Sequence, residues 1–203
     1  LSAHPLDDFR PAMKHFCNTK LGVLNDLDLL INRELNIGGM IGEVDHRVSS
    51  NGKGWAIFSL EDYEESFEFR IFGEEYLKFR HFLSVDNFVY MKTSVREGWL
   101  NNETGRRGDP RLVFKSFQQL QDVLTVNTKK ITLSIDNNRL DDKLLDYFKK
   151  LFKKFKGNHK LEMSFYDKKD KIRLLMPSRK IMVDVNENFL DELENSLIDY
   201  KLN

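Results

Sequence analysis

Apolar residues at Leu6, Phe9, Met13 and Phe16 recur at helical spacing and predict a helix over residues 5–17. Pro5 suits its first turn, while Pro11 predicts a bend or a break. A second short helix is expected from Asp26, acting as N-cap, to Arg33. From Leu35 the period changes to two, with Leu35, Ile37, Gly39 and Ile41 alternating with Asn36, Gly38, Met40 and Gly42. Three glycines in one strand imply close backbone approach and strong curvature. A turn at residues 49–54 leads to a strand Trp55–Glu61, with Ala56, Phe58 and Leu60 on one face. After another turn comes a strand Phe67–Phe72, with Phe67, Phe69 and Ile71 on one face. Gly73 opens a helix over 74–82. Strands Phe88–Val95 and Arg111–Phe117 flank a long polar loop, residues 97–110.

Strand, strand, strand, helix, strand, strand, with a bent glycine-rich first strand, is the order of a five-stranded Greek-key OB barrel. Residues 122–129 are expected to be a linker. A second unit follows, with a strand over 130–135 and the clearest helix of the chain, residues 140–155. Its stripe is Leu144, Leu145, Phe148, Leu151, Phe152 and Phe155. Gly157 is expected as its C′ stop. Strands over 161–166, 171–176 and 180–185, a short helix over 188–195 and a last strand over 198–202 complete a small α+β unit. The expected fold class is therefore mainly β plus α+β. It has a short helical lead-in (1–33), an OB-fold nucleic-acid-binding domain (34–121) and an α+β C-terminal domain (122–203).

Composition narrows the chemistry. Among 203 residues there are 32 Lys+Arg and 32 Asp+Glu, so net charge is zero. The distribution is uneven: residues 1–34 carry 4 basic and 5 acidic groups, residues 35–122 carry 11 and 14, and residues 123–203 carry 17 and 13. Any cationic footprint for nucleic acid must be local. No apolar run reaches the roughly 18 residues that span a bilayer, which predicts no membrane association. Nothing at the start reads as a signal peptide. The first residue is Leu1, which suggests a processed chain or a segment of a longer one. The lone cysteine, Cys17, beside Met13 and Phe16, is expected to be a buried apolar side chain in a reducing, cytoplasmic setting. The five histidines lack metal-binding spacing, and no phosphate loop occurs. Asp141, Asp142 and Asp146 lie where carboxylates favour a helix start. The tract Glu61–Glu65 reads as a solvated acidic turn. No catalytic residue, metal site or cofactor is expected here.

Binding is the better prospect. OB folds use the outer face of strands two and three and the loops after strands one and four. Bases stack on aromatics there while cations track phosphates. Period two puts Trp55, Ile57 and Ser59 outside, with Arg70 and Phe72 on the next strand. Phe72 is expected to pack under the helix that follows. Arg47 and Lys53 flank the first loop. Arg96, Trp99, Arg106 and Arg107 occupy the loop after strand four, and Arg111 opens strand five. Arg47, Lys53, Trp55, Arg70, Arg96, Trp99, Arg106, Arg107 and Arg111 form the expected nucleic-acid-binding set. The lysines 149, 150, 153, 154 and 156 lie off the apolar stripe, as a solvated face or as an electrostatic landing surface. Tight independent binding is not expected from a segment of net negative charge, because affinity for a phosphate chain is mainly cationic.

Several tracts carry a family resemblance. Leu1-Ser2-Ala3-His4-Pro5-Leu6-Asp7 resembles the end of the helix-hairpin-helix region of bacterial DNA polymerase III alpha subunits. Gly38-Gly39-Met40-Ile41, Asn51-Gly52-Lys53-Gly54, Ala56-Ile57-Phe58-Ser59-Leu60-Glu61-Asp62 and Phe67-Glu68-Phe69-Arg70-Ile71-Phe72-Gly73 resemble the OB domain that comes next. The linker and the α+β unit match the family's C-terminal domain in order and length. The resemblance implies a non-catalytic region of a DNA-directed DNA polymerase, a nucleotidyltransferase whose magnesium-binding palm carboxylates lie upstream. It implies contact with single-stranded template DNA through the OB module. It also implies docking of the clamp-loader tau subunit, among replisome proteins, through the C-terminal domain. An OB scaffold that binds only proteins is the alternative. An anticodon-type OB domain also fits the barrel, though not the leading His-Pro-Leu tract.

Overall fold

The alternation that starts at Leu35 builds one long strand, β1 (Glu34–Val48), burying Leu35, Ile37 and Ile41. β1 pairs with β4 (Phe88–Arg96) through Glu34–Met40 and with β2 (Gly54–Glu61) through Met40–Val48. The handover coincides with a register shift between Ile41 and Val44, the kind of irregularity that bends a strand. Gly39 lies there because a Cβ would come within 2.5 Å of the Glu61 carbonyl oxygen. β3 (Ser66–Phe72) extends the sheet beyond β2, and β5 (Arg111–Gln119) extends it beyond β4. The order is β3-β2-β1-β4-β5. The five expected strands are present in the expected order. Among the described residues, however, no ladder joins β3 to β5, so the sheet curls without closing into a barrel.

The computed structural model describes residues 4–100 and 104–203. Leu1-Ser2-Ala3 of the leading tract and residues 101–103 of the polar loop lie outside them. The chain forms two compact units, Leu1–Val123 and Leu124–Asn203.

In the first unit the inward faces meet in an aromatic core. Phe58 stacks on Phe69 at 5.2 Å, and Phe114 lies 6.1–6.2 Å from both. α1 (Arg10–Phe16) has Pro11 in its first turn, so this proline starts the helix rather than breaking it. Leu6 and Ala12 are buried with Tyr90, Leu120 and Val123. Residues 26–33 are not one helix. They contain the 3-10 turn Leu27–Leu30, preceded by another at Leu21–Asn25, and the Asp26 side chain makes no cap bond. α2 (Gly73–Phe79) follows β3 and buries Tyr76 and Phe79.

The acidic turn has a structural task. Asp62 accepts the N–H groups of Leu21, Glu64 and Glu65 at 2.8–2.9 Å, fixing the turn and tying it to the lead-in. Burial works to raise this carboxyl, but the three backbone donors outweigh it and hold it below its ordinary value. A depressed carboxylate contributes stability above the unfolded pKa and loses it as pH falls through the folded one. Asp62→Ala should therefore cost about 1–3 kcal/mol at pH 7. Urea unfolding followed by tryptophan fluorescence reads this, since Trp55 and Trp99 both lie in this unit. The gap from wild type should begin to narrow as pH falls below about 3.9 and go on shrinking through the lower, folded-state pKa.

The expected linker is helical: α3 (Leu120–Asn127) buries Leu120, Val123 and Leu124. In the second unit β6 (Lys130–Asp136) lies parallel to β7 (Lys156–Asp167) and antiparallel to β9 (Asp199–Leu202). β8 (Ile172–Val183) pairs with β7, giving the order β8-β7-β6-β9. The two short strands expected over 171–185 are one edge strand running through Pro177, which an edge tolerates because half its N–H groups need no partner. α4 (Asp142–Lys154) starts where the Asp141 carboxylate accepts the Leu144 N–H at 2.7 Å. It buries Phe148, Leu151 and Phe152, whereas Leu145 stays 42% exposed. Gly157 is not a left-handed stop but part of β7. A Cβ there would meet the Asp184 backbone within 2.5 Å, so close approach explains the glycine. α5 (Glu187–Asn195) is capped by Asn186, and Phe189 meets Phe155 at 5.4 Å.

Candidate functional site

The hairpin register sets the outer face of the first sheet. Arg47, Trp55 and Phe72 stand opposite one another across β1, β2 and β3, and Asp45, Ile57 and Arg70 form the next row. Facing residues of an antiparallel pair share a face, so each row is a contiguous strip. The Trp55 and Phe72 rings stack at 5.3 Å with planes 18° apart. The Arg47 guanidinium lies 5.3 Å from the Trp55 ring, a cation–π contact. Phe72 is 53% exposed, so the expectation that it packs under α2 fails. It ends β3 as the residue before the helix, with extended backbone, and its ring follows the strand face rather than the helix.

A second cluster lies at the far edge. Arg96 and Arg111 are opposite each other at the ends of β4 and β5. Trp99 is 78% exposed, and the Arg111 guanidinium stands 5.8 Å from its ring. The loop is braced by a bridge between Leu100 and Arg107 and by the Gly108 N–H donating to the Trp99 carbonyl at 3.0 Å.

The two clusters meet across the open seam of the sheet. The edges of β3 and β5 bound a groove of about 620 Å³. Arg70 and Phe72 line one bank, Arg96 and Arg111 the other, and Phe67, Phe69 and Phe114 contribute apolar floor. Of the nine expected residues, the groove thus gathers Arg70, Arg96 and Arg111. Arg47 and Trp55 adjoin it through the stack on Phe72, and Trp99 adjoins it through Arg111. Lys53, Arg106 and Arg107 do not line it. Lys53 sits in the β1–β2 turn, where its backbone bonds to Ser49, and Arg107 is ion-paired with Glu97. Phe72 is the residue whose part was missed. The signal was available, since it faces Trp55 in any hairpin that pairs β2 with β3 in this register.

Charge in the groove is balanced. Glu68, Glu74 and Glu75 line it with the three arginines. Glu68 engages Arg70 at 3.2 Å, as Asp45 engages Arg47 at 2.6 Å. Burial pushes the Glu75 carboxyl above its ordinary value, opposed by the Phe114 N–H that donates to it at 3.2 Å and by Arg111 and Arg96. Burial pushes the Cys17 thiol up to about 12, away from the thiolate form that a nucleophile needs. Among the described residues no three His, Cys, Asp or Glu side chains converge to hold a metal, and no helix is long and apolar enough to cross a membrane.

Comparisons with known proteins agree on one family. Residues 131–203 match the family model described as DNA polymerase III alpha subunit, C-terminal domain. The DNA polymerase III subunit alpha of Borreliella burgdorferi is 24% identical over 202 residues, covering 98% of this chain and 17% of the relative. That of Saccharopolyspora erythraea is 31% identical over 98 residues, covering 48% of this chain and 8% of the relative. The Mycobacterium tuberculosis subunit is 26% identical over 95 residues, 47% of this chain and 8% of the relative. The chain therefore spans less than a fifth of the length of these relatives. Residues 131–203 are thus similar to the C-terminal domain of DNA polymerase III alpha subunits, and nearly the whole chain is similar to the Borreliella burgdorferi subunit.

Proposed function

We propose that this chain is the non-catalytic C-terminal region of a bacterial replicative DNA polymerase. Its first unit is an OB-type module that contacts single-stranded template DNA. Its second unit docks the clamp-loader tau subunit within the replisome. The polymerase activity, with its magnesium, belongs to the remainder of the parent subunit. The observation that carries the DNA reading is the β3–β5 groove, where Phe72 and Trp55 offer a stacking platform beside Arg70, Arg96 and Arg111. The strand order and the seam between β3 and β5 support an open OB barrel. Stacking tolerates any base, and arginines follow the backbone. Because three carboxylates share the groove, binding of the isolated segment is weak and salt-sensitive, and matters when the polymerase holds template nearby.

Titrating labelled oligo-dT at low salt tests this. Wild type should bind, and Arg70→Ala/Arg96→Ala/Arg111→Ala should lose that binding, while Arg106→Ala/Arg107→Ala should lose much less. Equal binding by all three would remove the groove from the site. Glu75→Gln keeps an acceptor for the Phe114 N–H and removes a negative charge. A unit charge near a phosphate is worth roughly 1 kcal/mol in solvent, so binding should tighten up to about fivefold. For the same reason wild-type binding should tighten as pH falls into the carboxylate range. Glu75, with its raised pKa, takes up its proton early, and the Gln variant should show a flatter profile. The balanced charge of the groove also favours a protein-binding OB scaffold as a second reading. A flat oligonucleotide titration beside retained tau binding would support it.

A further inference from the structure

The helix-bearing face of the second sheet continues past its cover. Met163, Phe165 and Asp167 on β7 stand opposite Met176, Leu174 and Ile172 on β8. Opposed residues share a face, so Ile172, Leu174 and Met176 extend the surface on which Met163 lies. Yet these three are 62%, 57% and 51% exposed. Beside them runs a groove of about 570 Å³ whose floor includes Phe148, Phe152 and Met163, with Ile181 and Met182 of β8 along its side. Its rim is Lys149, Lys153, Lys156 and Lys180, with no carboxylate among the lining residues. Lys149 is ion-paired with Asp146. Among the described residues Lys153, Lys156 and Lys180 have no such partner.

We infer that this groove and the uncovered β8 face dock an acidic amphipathic segment of a partner protein, laid against β8 beside α4. The inference rests on the partner-docking reading of the second unit and locates it. Charge decides the occupant. An apolar floor rimmed by lysines, three of them outside any ion pair, matches a segment with an apolar stripe and carboxylate flanks. A second copy of this chain is disfavoured, because β8 carries Arg173, Arg179 and Lys180 and no acidic residue, so two such edges repel. A nucleic acid would use the lysines but leave the aliphatic floor uncovered.

The test measures affinity of the full 203-residue chain for purified clamp-loader tau subunit. Two variants bracket the fold: Lys153→Glu/Lys180→Glu changes only exposed rim groups, and Leu174→Asp/Met176→Asp changes the uncovered strip. Both should unfold at wild-type temperature and bind tau at least tenfold more weakly, and wild-type affinity should fall with salt. Wild-type tau affinity in both variants would overturn the location while leaving the docking reading intact. Absence of tau binding by the wild-type chain would remove the docking reading and this inference with it. Two further outcomes overturn the inference: oligo-dT binding lost in the lysine variant with tau binding unchanged, and self-association of the chain abolished by the Leu174/Met176 variant.

Discussion

Replacing Trp55 and Phe72 together by alanine is expected to weaken oligo-dT binding by tenfold or more. The two rings form one platform, stacked at 5.3 Å on the outer face and continuous with the arginine-lined groove. A stacked base contributes about 1–3 kcal/mol, so even one lost contact is worth about thirtyfold at its midpoint. Phe72 is the more informative half. It is 53% exposed, so Phe72→Ala alone removes little core and should leave the melting temperature close to wild type. Trp55 is partly covered by Phe72 and Arg47, and its loss costs some packing as well. Phe72→Leu should bind like alanine if stacking is the mechanism, and like wild type if the position only needs apolar area. Titrations of the three variants, with thermal melts beside them, separate these outcomes.

The largest stability effect belongs to His159. Its ring is buried, and its two nitrogens bridge backbone on both sides. The Val185 N–H donates to Nδ1 at 3.0 Å. Nε2 lies 2.8 Å from the Thr125 carbonyl and Nδ1 also lies 3.1 Å from the Val183 carbonyl; the tautomer protonated at Nε2 is the one that satisfies both the Val185 N–H and the Thr125 carbonyl. One side chain thus ties the residues before β6, the start of β7 and the end of β8. His159→Ala leaves a buried donor and a buried acceptor without partners, at about 1–3 kcal/mol each. A loss of roughly 2–4 kcal/mol is expected for the second unit. Amide hydrogen exchange at Ile131, Leu133 and Val183 should accelerate by about thirtyfold to several hundredfold. Unchanged protection there would contradict the bridging role.

Period and punctuation made most elements legible. Alternation at Leu35–Ile41, Ala56–Leu60 and Phe67–Ile71 identified strands whose inward residues are all buried or half-buried. The α4 stripe was legible for Phe148, Leu151 and Phe152, but Leu145 lies at its margin beside the uncovered β8 face, and a stripe alone does not say how wide the cover is. α3 was missed because Asp122 and the polar residues near it outweighed the Leu120, Val123, Leu124 spacing. Gly157 was misread because a glycine after a helix fits both a left-handed stop and a close approach, and only the position of Asp184 decides between them.

The site divides the same way. The positions of strand residues are legible, because pairing register follows from alternation: Arg70, Arg96 and Arg111 line the groove, and Arg47 and Trp55 adjoin it. The positions of loop residues are not, because proximity along the chain does not fix direction. Arg107 is engaged with Glu97, and Arg106 lies outside the groove. The seam itself was invisible in the sequence. A closed barrel and an open curl share one strand order, and the difference lies in whether β3 and β5 come within hydrogen-bonding distance.

Single-stranded DNA is proposed to lie along the β3–β5 groove. Amide chemical-shift mapping of the 203-residue chain during oligo-dT titration at low salt tests it directly. Shifts should cluster at Trp55, Arg70, Phe72, Arg96 and Arg111, extend to Trp99 and fade as salt is raised. Shifts confined to the lysine-rich surface of α4, or none at saturating oligonucleotide, would contradict it.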